Sequence, residues 1–200
     1  MKRHLIILIL TLSVGLFLCS LTNINHENNT SVAFRQFIKK FRQLQLPVTL
    51  HYGEFESMNL PVFDSQNIDT LFIKDNDTID KYYGILPDTN NYFGLIILYP
   101  AGYDYYPILI TFDKIGNKIS EEHLLNRGCG FAPGLDYCSS TGVINRDMTI
   151  YLADTLKTVK LDSTMKPIDS TREYFCLYIN GKINNSGKIT MTGEQTKNIK

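Results

Sequence analysis

Tyr92-Phe93-Gly94-Leu95-Ile96-Ile97-Leu98-Tyr99, then Pro100-Ala101-Gly102-Tyr103-Asp104, then Tyr105-Tyr106-Pro107-Ile108-Leu109-Ile110-Thr111-Phe112, is the stretch that decides the fold. Two runs of β-branched and aromatic residues, each short and joined by turn formers, spell a β-hairpin. The same rhythm extends in both directions. Upstream, Leu71-Phe72-Ile73 is followed by Lys74-Asp75-Asn76-Asp77, and Tyr82 to Leu86 by Pro87-Asp88-Thr89-Asn90-Asn91. Downstream, Asp113-Lys114-Ile115-Gly116-Asn117 returns the chain into Lys118-Ile119. Val143-Ile144, Met148 to Leu152, Thr158 to Leu161, Arg172 to Ile179 and Lys188 to Met191 then follow. Asn145-Arg146-Asp147, Asp162-Ser163 and Asn180-Gly181-Lys182 read as the turns between them. This spacing predicts an antiparallel meander sheet, open to closure as a partial barrel or a sandwich.

One segment reads as helix. Phe34, Phe37, Ile38, Phe41 and Leu44 recur at helical spacing, with Arg35, Gln36, Lys39, Lys40, Arg42 and Gln43 on the opposite face. Thr30 or Ser31 caps its start and Pro47 follows its end. The expected architecture is therefore α+β, mainly antiparallel β, with an N-terminal amphipathic helix packed on a meander sheet or partial barrel. Residues 31–200 form a single β-rich domain in this reading. Composition agrees: 12 Tyr and 11 Phe without Trp, in a chain 44% hydrophobic and 20% charged, favour strands around a sizeable core.

Charge excludes one class of partner. Twenty Lys+Arg balance twenty Asp+Glu, so the chain lacks the basic excess that tracks a nucleic-acid backbone. The N-terminus is more specific. Lys2 and Arg3 precede an apolar run from Leu5 to Leu18, the layout of a signal peptide. A helix over that run reaches about 21 Å, short of a hydrocarbon layer of about 30 Å. Cys19 follows directly, and Ser20 to Thr30 is polar and Asn-rich, a tether by composition.

Leu16-Phe17-Leu18-Cys19-Ser20 resembles the lipobox of bacterial lipoproteins, with Leu18 where that family carries a small residue. The resemblance implies acylation of Cys19 and cleavage before it, giving a signal peptide over 1–18 and a lipid attachment and tether over 19–30. Acyl chains on Cys19 would hold the chain at a bilayer, each buried methylene contributing about 0.8 kcal/mol. Loss of 1–18 would remove Lys2 and Arg3 and no acid, leaving a slightly acidic body. The leader, the Asn/Lys/Ile/Tyr-rich composition and the strand rhythm together resemble small envelope lipoproteins of Bacteroidetes. That resemblance implies a periplasm-facing, outer-membrane-anchored location. Asp69-Thr70-Leu71, Asp77-Thr78-Ile79, Asp154-Thr155-Leu156, Asp162-Ser163-Thr164 and Asp169-Ser170-Thr171 resemble the O-glycosylation acceptors of such envelopes, and equally ordinary turn chemistry.

In an oxidising compartment Cys129 and Cys138 bracket a Gly/Pro-rich segment and are expected to pair. Cys176, inside Tyr174-Phe175-Cys176-Leu177-Tyr178-Ile179, is expected as a small buried thiol. Reactive motifs are sparse. No His-Glu-x-x-His or Gly-x-Ser-x-Gly is present, and Gly128, Gly130 and Gly134 lack the spacing of a phosphate loop. No metal, cofactor or catalytic set is therefore assigned. His123 with Glu121 or Cys129 is the pairing a hydrolase would use, and Asp104, Asp113, Glu121 and Glu122 are the carboxylates a glycosidase would draw on. The leading expectation is a non-enzymatic binding module for a protein or glycan partner. Its surface would be the tyrosines crowded around one turn, Tyr99, Tyr103, Tyr105 and Tyr106, rigid rings with a polar tip.

Overall fold

The computed structural model describes residues 30–63, 72–73, 81–87, 90–101, 104–126, 129–130 and 132–199. Two antiparallel sheets make up most of it. The strands are β1 (Val48–His51), β2 (Lys81–Ile85), β3 (Phe93–Ala101), β4 (Asp104–Phe112), β5 (Lys118–His123), β6 (Leu135–Ile144), β7 (Thr149–Thr158), β8 (Glu173–Ile183), β9 (Ile189–Met191) and β10 (Gln195–Asn198). The first sheet is the meander β2-β3-β4-β5. The second runs β1-β6-β7-β8-β10, with β9 also paired to β8. They form no closed barrel among the described residues.

The hairpin that decides the fold is β3–β4, in register from Phe93↔Phe112 to Ala101↔Asp104. Successive side chains of a strand point to opposite faces, and in β3 each face enters a different core. Ile96 and Leu98 join Leu109, Val48, Leu50, Ile144, Ile150, Leu152 and Ile183 in a cluster drawn from both sheets. Leu95 and Ile97 join Ile108, Ile110, Phe112 and Tyr82 in a second cluster with Phe34, Phe37, Phe41, Phe72 and Ile73. This explains the unbroken apolar run: a strand covered on both faces has no position left for a polar alternate. The two sheets are tied by hydrogen bonds as well. Thr111 Oγ1 donates to the Gly187 carbonyl at 2.7 Å, and the Ile189 amide donates to Ser120 Oγ at 3.2 Å.

The helix is shorter than its periodicity predicts, spanning 30–38 rather than reaching Leu44. The free edge of β2 competes for the chain beyond it. The Leu44 amide donates to the Ile85 carbonyl at 2.9 Å and the Ile85 amide to the Arg42 carbonyl at 2.9 Å. Two sheet-type bonds replace the last helical turns, while Phe41 and Leu44 keep their apolar contacts. The rings of this segment stack among themselves and with strand residues: Phe34 with Phe112 at 5.3 Å, and Phe41 with Tyr82 edge-on at 4.9 Å.

Three strand expectations change. Phe72 and Ile73 lie in no strand, and Leu71 falls outside the described residues. Met148 to Leu152 and Thr158 to Leu161 are not two strands, because β7 runs unbroken from Thr149 to Thr158 with β6 on one side and β8 on the other. Asn180-Gly181-Lys182 is not a turn but the continuation of β8. Gly181 is there because β9 comes close: a Cβ would press on Met191. The chain reverses instead at Asn184–Gly187, where Gly187 takes φ +84° and Asn184 Oδ1 accepts bonds from the Ser186 amide, the Ser186 hydroxyl and the Lys188 amide.

Candidate functional site

Of the four tyrosines expected to form a surface, Tyr103 lies outside the described residues. The other three stand in strands, at the end of β3 and the start of β4, not at loop tips. Tyr99 and Tyr106 are directly opposed across the hairpin. Both line a cleft of about 540 Å³ with Tyr52, Ala101, His123, Leu125, Asn126 and Gly130. Tyr105 is elsewhere, its ring under the Lys81 ammonium at 4.3 Å.

Each wall has a local cause. β5 pairs Ile108 with His123, which sets the imidazole beside the hairpin end. The chain then leaves the sheet through Leu124, whose amide donates to the Pro107 carbonyl at 2.9 Å, placing Leu125 and Asn126 along one side. Asn126 Nδ2 donates to Glu194 Oε2 at 2.9 Å. Tyr52 is held through its amide on the Ser140 carbonyl at 3.0 Å, and its ring meets that of Tyr106 edge-on at 6.0 Å. Gly130 arrives with the disulfide Cys129–Cys138, which joins it to β6 with Cα atoms 5.5 Å apart. Cys138 is a strand residue, so the bridge fastens a loop to the sheet rather than closing a free loop.

Polar groups lie beneath the aromatic walls. Asp104 is only 7% exposed, and its carboxylate accepts the Gly53 and Tyr105 amides at 2.8 Å each. Asp154, 1% exposed, faces Ser140 across β6 and β7. Burial raises the Tyr106 phenol pKa, and Tyr52, Asp104 and Asp154 push it further the same way. Tyr106 therefore stays a neutral hydrogen-bonding hydroxyl at ordinary pH. The cleft thus combines three aromatic rings with an imidazole, an amide and a phenol hydroxyl.

Other partners engage most of the groups a hydrolase would draw on. Cys129 is bonded to Cys138 and holds no thiolate. Glu121 Oε2 accepts Lys118 Nζ at 2.6 Å, and Glu122 Oε1 accepts the backbone amide of His123 at 3.2 Å. Asp104 spends its carboxylate on backbone amides, and Asp113 on the turn amides of Ile115 and Asn117. His51 is on the other sheet, with Nδ1 3.1 Å from Thr141 Oγ1. Among the described residues no three of His, Cys, Asp and Glu gather as a metal site. No described helix is long and apolar enough to cross a membrane.

Cys176 is buried as expected, yet it belongs to neither core cluster. It sits on the outward face of β8, close enough to Tyr151 to help raise that phenol's pKa, although burial of the phenol does more. Of the Asp-Ser/Thr triplets, Asp69-Thr70-Leu71 and Asp77-Thr78-Ile79 lie outside the described residues. Asp154-Thr155-Leu156 is mid-strand, and Asp162 Oδ1 accepts the Thr164 and Lys166 amides, which is turn chemistry. Sequence reading missed Tyr52, Leu125 and Asn126 as wall residues. They are brought in by pairing between distant strands and carry no local motif.

The bridge offers a direct stability test. Replacing Cys129 and Cys138 together with Ser should destabilise the chain by about 2–3 kcal/mol, from lost constraint on the unfolded state. Thermal unfolding with and without reductant measures it, and the double variant should show no further response to reductant. No protein-family model, curated protein or solved structure matches this chain.

Proposed function

We propose that this chain is an envelope lipoprotein, tethered through Cys19, that binds a glycan in the cleft of Tyr52, Tyr99, Tyr106 and His123 without transforming it. The periplasm-facing outer membrane is the location its leader fits, with residues 1–18 removed and 19–30 as tether. One observation carries the binding reading: two of the tyrosines singled out by their crowding meet two further ring side chains and an amide around a single open cleft. Aromatic faces take the C–H faces of a sugar ring, and the imidazole, the amide and the neutral phenol serve its hydroxyls. A protein partner would use the same rings, but the cleft is concave and polar-tipped, which favours a saccharide over a flat protein surface.

We place the helix of 30–38 as the outer cover of sheet β2–β5, from the ring contacts of Phe34 and Phe37 with Phe112 and Tyr82. The test uses full-length chain extracted from membranes in detergent, with glycans released from the producing cells and tagged at their reducing ends. Wild type should retain a subset of these, and Tyr99→Ala and His123→Ala should each weaken retention about tenfold while unfolding at an unchanged temperature. Equal retention by all three proteins would remove the cleft from the function.

A further inference from the structure

The second sheet presents its own surface, remote in composition from the cleft. Cross-strand register sets Tyr137, Lys157 and Tyr174 in one row over β6, β7 and β8, since Lys157 opposes Tyr137 on one side and Tyr174 on the other. Among the described residues, these three line a hollow of about 350 Å³. Two and three rows along the same face, Tyr178 and Tyr151 stand with ring centroids 6.0 Å apart. Tyr137, Tyr151 and Tyr174 are 49%, 37% and 40% exposed, an unusual concentration of ring surface on one sheet face.

Lysines lead the charge on this face: the pairing from β1 to β10 gives Lys157, Lys182 and Lys197 outward positions and sets no Asp or Glu opposite them, while Asp136, in the bulge before Tyr137, is paired with Arg172, and Asp147 lies near Lys182. Between the rings stand short hydroxyl and amide side chains, Ser139, Thr141, Thr155 and Asn180. Tyr137 and Tyr174 are two strand spacings apart, about 10 Å, so that two rings can meet alternate units of one extended chain.

We infer that this outer face is a second binding surface, for an anionic polysaccharide whose sugars carry carboxylates. Pyranose faces lie on Tyr137 and Tyr174, and a uronate carboxylate meets the Lys157 ammonium between them. Lys197 adds attraction over the rest of the face, and Lys182 adds less because Asp147 lies near it. A hydroxyl-rich ligand uses the Ser, Thr and Asn side chains as hydrogen-bond partners. Three lysines are also few for tracking a phosphate backbone. The inference stands independently of the cleft, which lies at the β3–β4 hairpin.

The experiment measures binding of full-length, detergent-solubilised chain to immobilised polygalacturonate and alginate. Fully methyl-esterified polygalacturonate serves as the uncharged control. The expected result is binding to at least one of the two acidic polymers, weakened by salt as exposed charge pairs are, and absent from the ester. Lys157→Met and Tyr174→Ala should each lower affinity about tenfold, with unfolding temperature unchanged, while Val32→Ala, at an exposed position of the N-terminal helix, should leave it unchanged. Three results would overturn the assignment: no binding to either acidic polymer, equal binding to the ester, or equal or tighter binding to oligothymidylate through the same side chains. A dimer that dissociates in Tyr174→Ala, with no polymer retained, would instead give the face to self-association.

Discussion

Gly142→Ala should destabilise the chain by about 3 kcal/mol, more than any surface change in the molecule. Gly142 lies inside β6, opposed to Leu50 in β1 and Leu152 in β7, and faces the core between the sheets. A Cβ placed there would overlap the backbone carbonyl oxygen of Leu124. That atom cannot swing aside as the end of a long side chain would. Leu124 is held by its amide on Pro107, and the next residues are Leu125 and Asn126 of the cleft wall. The strain must therefore move a strand of one sheet or the crossing segment of the other. Chemical denaturation should show a lower midpoint with the slope unchanged. Tagged-glycan retention should fall with it. Gly130→Ala is the control, since among the described residues nothing lies within 4 Å of the added carbon there, and its stability should match wild type. Equal stability of Gly142→Ala and wild type would mean that the Leu124 carbonyl does not press on β6 at Gly142.

Leu109→Ala should cost about 3–4 kcal/mol. Leu109 is fully buried, at the centre of the cluster shared by both sheets, and its strand is paired on each side, so the walls of the cavity cannot collapse easily. The lost transfer free energy of the side chain and the void left behind add together. Equilibrium unfolding in urea measures it. A cost below about 1 kcal/mol, the range of an exposed site, would contradict a core formed between the two sheets.

Much of this architecture was legible because it is local. The hairpin β3–β4, the turn after Phe112 and the turn at Asn145–Asp147 all announce themselves in short spans of sequence, and the Cys129–Cys138 pair follows from nine residues of separation and a redox argument. What was not legible depends on partners far along the chain. Gly181 looks like a turn former after Asn180, and only the arrival of β9 shows that its missing side chain makes room for Met191. Arg42 to Leu44 keeps helical spacing to the end, yet the open edge of β2 draws it into extended pairing. β7 hides its continuity because Asp154 interrupts an apolar pattern while facing inward.

The site divides the same way. Tyr99 and Tyr106 were found by crowding in sequence, and they do meet at one cleft. Tyr52 and Asn126 enter it from distant segments, and Tyr137, Lys157 and Tyr174 form a row only once three strands are aligned. Crowding also included Tyr105, which register sends toward Lys81 instead. Aromatic clustering in sequence thus locates a hairpin end well and assigns faces poorly, because neighbouring residues of a strand point in opposite directions.

The central proposition is recognition without turnover at the Tyr99–Tyr106–His123 cleft. Its most direct test incubates the tagged glycans with full-length protein, then compares the masses of bound and free glycans with those of the starting mixture. Retained glycans of unchanged mass, lost from the bound fraction in Tyr99→Ala, are the expected result. Shortened glycans that accumulate with wild type and vanish with His123→Ala would contradict it and make the cleft a hydrolytic site.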